Sequence, residues 1–273
     1  MNFRKYIYKL LSVSLFLVSL NLHAQCFKGN NAFQDGESIA YDVSYNWGPV
    51  WVNAGLVTFD VKKEVFNGKT ALHLKSTGKT YYSYDFLFKV RDYYDTWVDP
   101  DSFQTREFRR MIYEGGYQIV NTLHFNSNRT LVYSSTKCNN DPIRYDTLKP
   151  GPCAFDMVSA VYFARTLDIS KLTSDSRVPV SVLIDNAVFN IYIKYLGKET
   201  VQARSGKKYR CVKFTAKMVE GTIFRGDEDV LVWVTDDENK IPVYIEAKIL
   251  VGTVKAYLKD FKGLKNPQTS LLK

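Results

Sequence analysis

Gly151-Pro152-Cys153-Ala154-Phe155-Asp156-Met157-Val158-Ser159-Ala160-Val161-Tyr162-Phe163-Ala164-Arg165 is the segment around which the chain is organised. Placed on a helix, its apolar residues lie nearly all round, and a helix apolar on every face belongs in a core. Pro152 suits the first helical turn, where its missing N–H costs nothing. Asp156, near the same end, complements the positive end of the helix dipole. A buried helix is therefore expected near residues 152–167. No other convincing helix follows the N-terminal segment, so strands must supply what buries it.

On the N-terminal side, Tyr41, Val43 and Tyr45 alternate with Ala40, Asp42 and Ser44, the period of a half-buried strand. Val57, Phe59 and Val61 share one face of the next strand, and Asn67-Gly68 is a strong hairpin signal after it. The stretch Thr80–Asp92 is crowded with aromatics and leads into a strand ending at Val98. Glu114-Gly115-Gly116 joins two further strands, Phe103–Tyr113 and Tyr117–Phe125, and Lys137–Gly151 reads as an ordered polar loop ahead of the helix. Beyond the helix, Asp185-Asn186 turns Val178–Ile184 into Ala187–Tyr195. Lys198–Ala203, Tyr209–Val219, Asp229–Thr235, Ile241–Leu250 and Thr253–Phe261 follow. About a dozen short antiparallel strands with regular turns predict a mainly β barrel or large sandwich around one helix.

The chain opens Met1-Asn2-Phe3-Arg4-Lys5 and runs into the apolar segment Leu10–Leu20, followed by Leu22-His23-Ala24. A basic start, a short apolar core and a small residue predict a cleaved signal peptide over 1–24. Gln25, where a lipoprotein needs a small residue, argues against acylation of Cys26. The expected division is a signal peptide at 1–24, one β domain at 25–261 and a flexible tail at 262–273. Cleavage would remove three of the 37 basic residues and no acids, leaving 34 against 28 and a net charge of +6. These charges are scattered, so nucleic acid is not an expected partner. Export to a periplasmic or outer-membrane-associated site is expected.

Cys26, Cys138, Cys153 and Cys211 would all survive cleavage, in a compartment where disulfides persist. Cys138 and Cys153 flank the polar loop, so the first pairing expected is between them, leaving Cys26 with Cys211. No Cys-x-x-Cys or calcium-loop pattern is present, and no metal or other cofactor is called for. His73 and His124 sit in alternating strands as sheet-surface residues, and no Gly-x-Ser-x-Gly elbow supports a catalytic triad.

Two sets of residues stand out. Trp47 and Trp51, with Tyr81, Tyr82 and Tyr84, could form a stacking platform for a sugar or the mouth of an apolar pocket, against the plainer reading that aromatics favour strands. Asp156, Ser159 and Arg165 are the polar members of the helix. Buried without partners, the charged pair would cost several kcal/mol, so they are expected to anchor the helix through hydrogen bonds or ion pairs.

Three strings carry a family resemblance: Tyr45-Asn46-Trp47-Gly48-Pro49-Val50-Trp51-Val52-Asn53-Ala54-Gly55, Cys153-Ala154-Phe155-Asp156-Met157-Val158-Ser159-Ala160, and Val232-Trp233-Val234-Thr235-Asp236-Asp237-Glu238-Asn239-Lys240-Ile241-Pro242-Val243. With them the chain resembles the exported bacterial family catalogued as domain of unknown function 3108, in its Bacteroidetes form, from about Asn31 to Phe261. The resemblance implies an envelope β protein with a fold similar to capsule-operon lipoproteins of the YmcC type, and it brings no catalytic residues. The function expected is a non-enzymatic scaffold that binds a lipid or glycan, peripheral to the outer membrane. A structural or interaction component bound to another envelope protein is the alternative. A glycan hydrolase would need two carboxylates converging in a cleft. The oligomeric state is left open.

Overall fold

The computed structural model describes residues 27, 29–47, 50–151, 153–174, 176–217, 229–249 and 252–273; of residues 47, 50, 217, 229 and 249 only the backbone is described. The expected signal peptide and Cys26 lie outside these residues. Fifteen strands form one sheet: β1 (Ser38–Trp47), β2 (Val50–Phe66), β3 (Lys69–Thr80), β4 (Arg91–Val98), β5 (Thr105–Glu114), β6 (Tyr117–Phe125), β7 (Val132–Cys138), β8 (Arg144–Leu148), β9 (Ala154–Phe155), β10 (Arg177–Ile184), β11 (Ala187–Gln202), β12 (Lys208–Lys217), β13 (Asp229–Thr235), β14 (Pro242–Ile249) and β15 (Gly252–Lys262). The strands follow one another round the sheet, except that β1 pairs with β15 and so joins the two halves. Every pairing is antiparallel but the short β9–β10 one. The sheet starts at β8 and ends at β9, and those edges are not paired to each other, so it wraps like a barrel without closing.

Local chemistry explains the path. Asn67-Gly68, Gly115-Gly116 and Asp185-Asn186 all have positive φ, the backbone that two-residue hairpins between right-twisted strands require. Irregular register at Val43/Ser44, Trp97/Val98, Tyr195/Gly197 and Trp233/Val234 marks bulges, which bend long strands into curvature. The bulge at Tyr195/Gly197 also corrects an expectation. Lys198–Ala203 is not a separate strand, because β11 continues through the irregularity for 16 residues.

The only α-helix among the described residues, α1, runs Met157–Arg165 and lies against β3, β4, β9 and β10. It is shorter than the expected 152–167. Ala154 and Phe155 spend their backbone on the pairing with β10, and Asp156 then caps the helix. Val158, Tyr162 and Phe163 are buried with Phe33, Phe103, Phe108 and Phe155, while Val161 is exposed. Tyr162 meets the rings of Phe33 and Phe59 edge-on at 4.8 and 6.3 Å, and Phe155 stacks on Phe163 at 4.4 Å. No helix among the described residues is long and apolar enough to cross a membrane.

Both ends of α1 are pinned by buried charge. The Asp156 carboxylate accepts hydrogen bonds from Thr96 Oγ1 (2.8 Å), Thr105 Oγ1 (2.9 Å), Ser159 Oγ (2.5 Å) and the N–H groups of Val158 and Ser159 (both 3.0 Å). Arg165 forms a bidentate pair with Glu37 at 2.5 and 2.8 Å and donates to the carbonyls of Ala32 and Asn239.

Three further expectations are corrected. Cys138 and Cys211 are free thiols, so neither the Cys138–Cys153 nor the Cys26–Cys211 bridge is present. The loop 137–151 contains β8, which pairs with β7 from Val132↔Leu148 to Thr136↔Arg144. The tail 262–273 is not free. Its Ser270 carbonyl and Leu272 N–H bond to Arg210 and Lys208 of β12, and Asn266 exchanges hydrogen bonds with Asn239.

Candidate functional site

Strand register sorts the inner face into rows. Val61, Leu74, Thr96, Phe108, Leu123 and Ser134 stand side by side across β2 to β7, and all are buried. Two residues along each strand the row becomes Phe59, Ser76, Tyr94, Arg110, Asn121 and Thr136, with Arg144 of β8 beyond. The first row packs the core beside α1. In the second, Phe59 and Tyr94 still pack against that core, and the row turns polar at Arg110, Asn121 and Thr136.

The β10–β11 turn crosses the gap between the sheet's edges and plants two side chains in this polar region. Asp185 pairs with the buried Arg110 guanidinium. Asn186 accepts from the Ser134 hydroxyl and donates to Asp146 Oδ2 (2.7 Å) and Thr136 Oγ1 (3.1 Å). Asn121 Nδ2, itself buried, donates to Thr136 Oγ1 at 2.8 Å. Polar side chains, rather than a strand ladder, hold the edges together here, and a second tie comes from Arg129, which donates to the Ala154 carbonyl of β9 at 2.7 Å.

Beside this network lies a cavity of about 450 Å³. Arg110, Thr136 and Asn186 form part of its wall together with Tyr117 and Cys138, and Asp141 and Arg144 reach it from the exposed β7–β8 segment. The volume falls within the range of small-molecule pockets. Arg110 Nε is buried with no hydrogen-bond partner among the described residues, which is uncommon in a folded protein. Behind Arg110, burial and then the negative charge of Glu114 push the Asp92 carboxyl up to about 7. The lining offers guanidinium, hydroxyl and amide donors and carboxylate acceptors, without a histidine or a nucleophile–base pair. That set suits recognition of a polar group.

A family model described as "Protein of unknown function (DUF3108)" matches residues 40–259. The chain belongs to that family. No curated protein sequence matches it. Among solved structures, the DUF3108 chain is similar to a crystal structure of a beta-barrel-like protein of domain of unknown function DUF1849 from Brucella abortus. The TM-score is 0.53 at 8% identity, over 85% of this chain and 98% of the other. At that identity the likeness is one of fold, and it matches the barrel-like wrap of the sheet.

Of the aromatic candidates, Trp51, Tyr81, Tyr82 and Tyr84 do not line the cavity of the DUF3108 chain. Tyr81, Tyr82 and Tyr84 come together in the β3–β4 connection, where Tyr82–Tyr84 is a single 3-10 turn. The Tyr81 hydroxyl donates to Asp42 at 2.6 Å, and Tyr82 lies under the Arg91 guanidinium at 5.1 Å. Trp51 is on β2 beneath the Lys255 ammonium at 4.4 Å and stacks on none of the tyrosines, while the Trp47 side chain is outside the described residues. Asp156, Ser159 and Arg165 sit at the ends of α1, away from the cavity. His73 stacks on Trp97 and bonds Asp95 at 2.7 Å, and His124 faces Glu107. Among the described residues no His, Cys, Asp or Glu cluster has metal-holding geometry.

The cavity residues had a sequence signal of their own. Phe108-x-Arg110-x-Ile112, Ile119-x-Asn121-x-Leu123 and Val132-x-Ser134-x-Thr136 each place polar groups on the apolar parity of a strand. Three adjacent strands doing so mark a polar patch facing inward.

Proposed function

We propose that this is an exported, non-enzymatic envelope protein whose open β cradle binds a lipid or glycan by a polar group held in the Arg110 cavity. The observation that carries this reading is the cavity itself, walled by the guanidinium-bearing Arg110 and Arg144 with hydroxyl, amide and carboxylate side chains around them. The N-terminal Met1–Ala24 pattern supports export.

Cys138 provides the test. It is free and partly accessible in the cavity wall, whereas burial pushes the Cys211 thiol up to about 12, leaving it inert as an internal control. Iodoacetamide labelling of Cys138 should slow severalfold when the occupying class is added. Protection by short-chain phosphatidylglycerol assigns a lipid, and protection by a soluble oligosaccharide assigns a glycan. Unchanged labelling with both would remove the cavity as the binding site.

A further inference from the structure

The β3–β4 connection carries four large side chains outward: Tyr82 is 87% exposed, Phe86 81%, Leu87 56% and Phe88 54%. Scattered exposed apolar residues are ordinary, but contiguous ones at a loop tip mark a contact surface. This tip is held in place. The Asp85 carboxylate accepts from Thr80 Oγ1 at 2.6 Å and from both terminal nitrogens of Arg91 at 3.0 and 2.5 Å. Val90 N–H returns to Thr80 Oγ1 at 3.1 Å, and the N–H groups of Leu87 and Phe88 bond the Tyr84 carbonyl. On the neighbouring β5–β6 turn, Gly115 donates to the Lys89 carbonyl at 2.9 Å and lies so close under the Phe88 ring that a Cβ there would overlap it. A buttressed loop displaying apolar groups loses little conformational freedom when they are covered.

We infer that this tip docks the protein onto an anionic phospholipid bilayer, with Phe86, Leu87 and Phe88 entering the headgroup–acyl boundary. Charge selects this occupant. Exposed Lys79 and Lys89 flank the aromatics, and aromatic rings beside lysine ammoniums are the composition of a membrane–water interface. A second copy docked tip to tip would instead bring these lysines against their own counterparts. Tyr117, at the start of β6 beside the same turn, is both 45% exposed and part of the cavity wall, so docking by this rim would bring the cavity close to the bilayer surface.

Co-sedimentation of the purified protein with phosphatidylethanolamine–phosphatidylglycerol vesicles tests the inference independently of any ligand in the cavity. The wild type should pellet with the vesicles. Phe86→Ser/Leu87→Ser should weaken partitioning by at least about tenfold, since two exposed apolar side chains no longer enter the interface. Lys79→Glu/Lys89→Glu should weaken it too and reduce its sensitivity to salt. Both variants should keep the wild-type melting curve, because the substituted side chains project from the fold. Absence of wild-type pelleting, or equal pelleting of wild type and the serine variant, overturns the inference. So does a wild-type dimer in sedimentation equilibrium that the serine variant abolishes, which would make the tip a self-association surface.

Discussion

Arg165→Met should destabilise the protein by about 3–5 kcal/mol, a drop in Tm on the order of 10 °C for a chain of this size. Arg165 is 4% exposed and Glu37 1% exposed, so the substitution leaves a carboxylate in the core with no counter-charge. The carbonyls of Ala32 and Asn239 lose their donor at the same time, and the rings of Phe33 and Tyr162 lose the guanidinium beside them. The loss is therefore expected to exceed the net worth of the ion pair. Adding Glu37→Met to Arg165→Met should recover a large part of it, because a buried pair replaced by apolar groups of similar volume is often near neutral. Urea denaturation of the two single variants and the double variant gives the coupling directly. A single-variant loss below about 1 kcal/mol would mean that water reaches the site.

The second large effect is expected at the other end of the helix. Asp156→Ala removes the N-cap and leaves the buried hydroxyls of Thr96, Thr105 and Ser159 short of an acceptor. Loss of the cap costs about 1 kcal/mol and each buried unsatisfied group about 1–3 kcal/mol, so a total near 3–5 kcal/mol is expected after local relaxation. Asp156→Asn should lose less, since its amide oxygen still caps the helix while its NH₂ meets hydroxyls that can turn to accept. Hydrogen exchange locates the effect. The amides of Val158 and Ser159 should exchange much faster in Asp156→Ala, while those of β13 and β14 change only with global stability. Uniform acceleration through the whole sheet would show that the carboxylate supports the fold generally and not the start of α1.

The two ends of α1 also show what could be read before the structure. Asp156 and Arg165 stand out as charges in an apolar helix, and a buried charge demands a partner. The partners themselves are beyond such an argument. Glu37 lies 128 residues from Arg165 in a turn before β1, and Thr96 and Thr105 come from the flanks of the β4–β5 connection. Strand alternation and the turns at Asn67-Gly68, Gly115-Gly116 and Asp185-Asn186 define most of the sheet, because period and turn chemistry are local. β8 escapes, since Arg144–Leu148 is short, polar and an edge strand covered on one side only. The helix start is misplaced for a similar reason: the pairing of Ala154 and Phe155 with β10 is a long-range demand on the backbone that outweighs local helix preference. The aromatic residues near Tyr82 draw attention by composition. Arg110 does so only when parity is compared across three strands.

The cradle's role as a binding site is tested most directly by native mass spectrometry of protein purified without detergent, with Arg110→Met beside the wild type. Asp185, the partner left behind, is half exposed and can be solvated, so the variant should fold and melt close to the wild type. The wild type should carry a bound mass released on denaturation, and Arg110→Met should carry little or none. A wild type that flies as bare polypeptide, or a variant that keeps the same bound mass at the same occupancy, would contradict the assignment of this cavity as the ligand site.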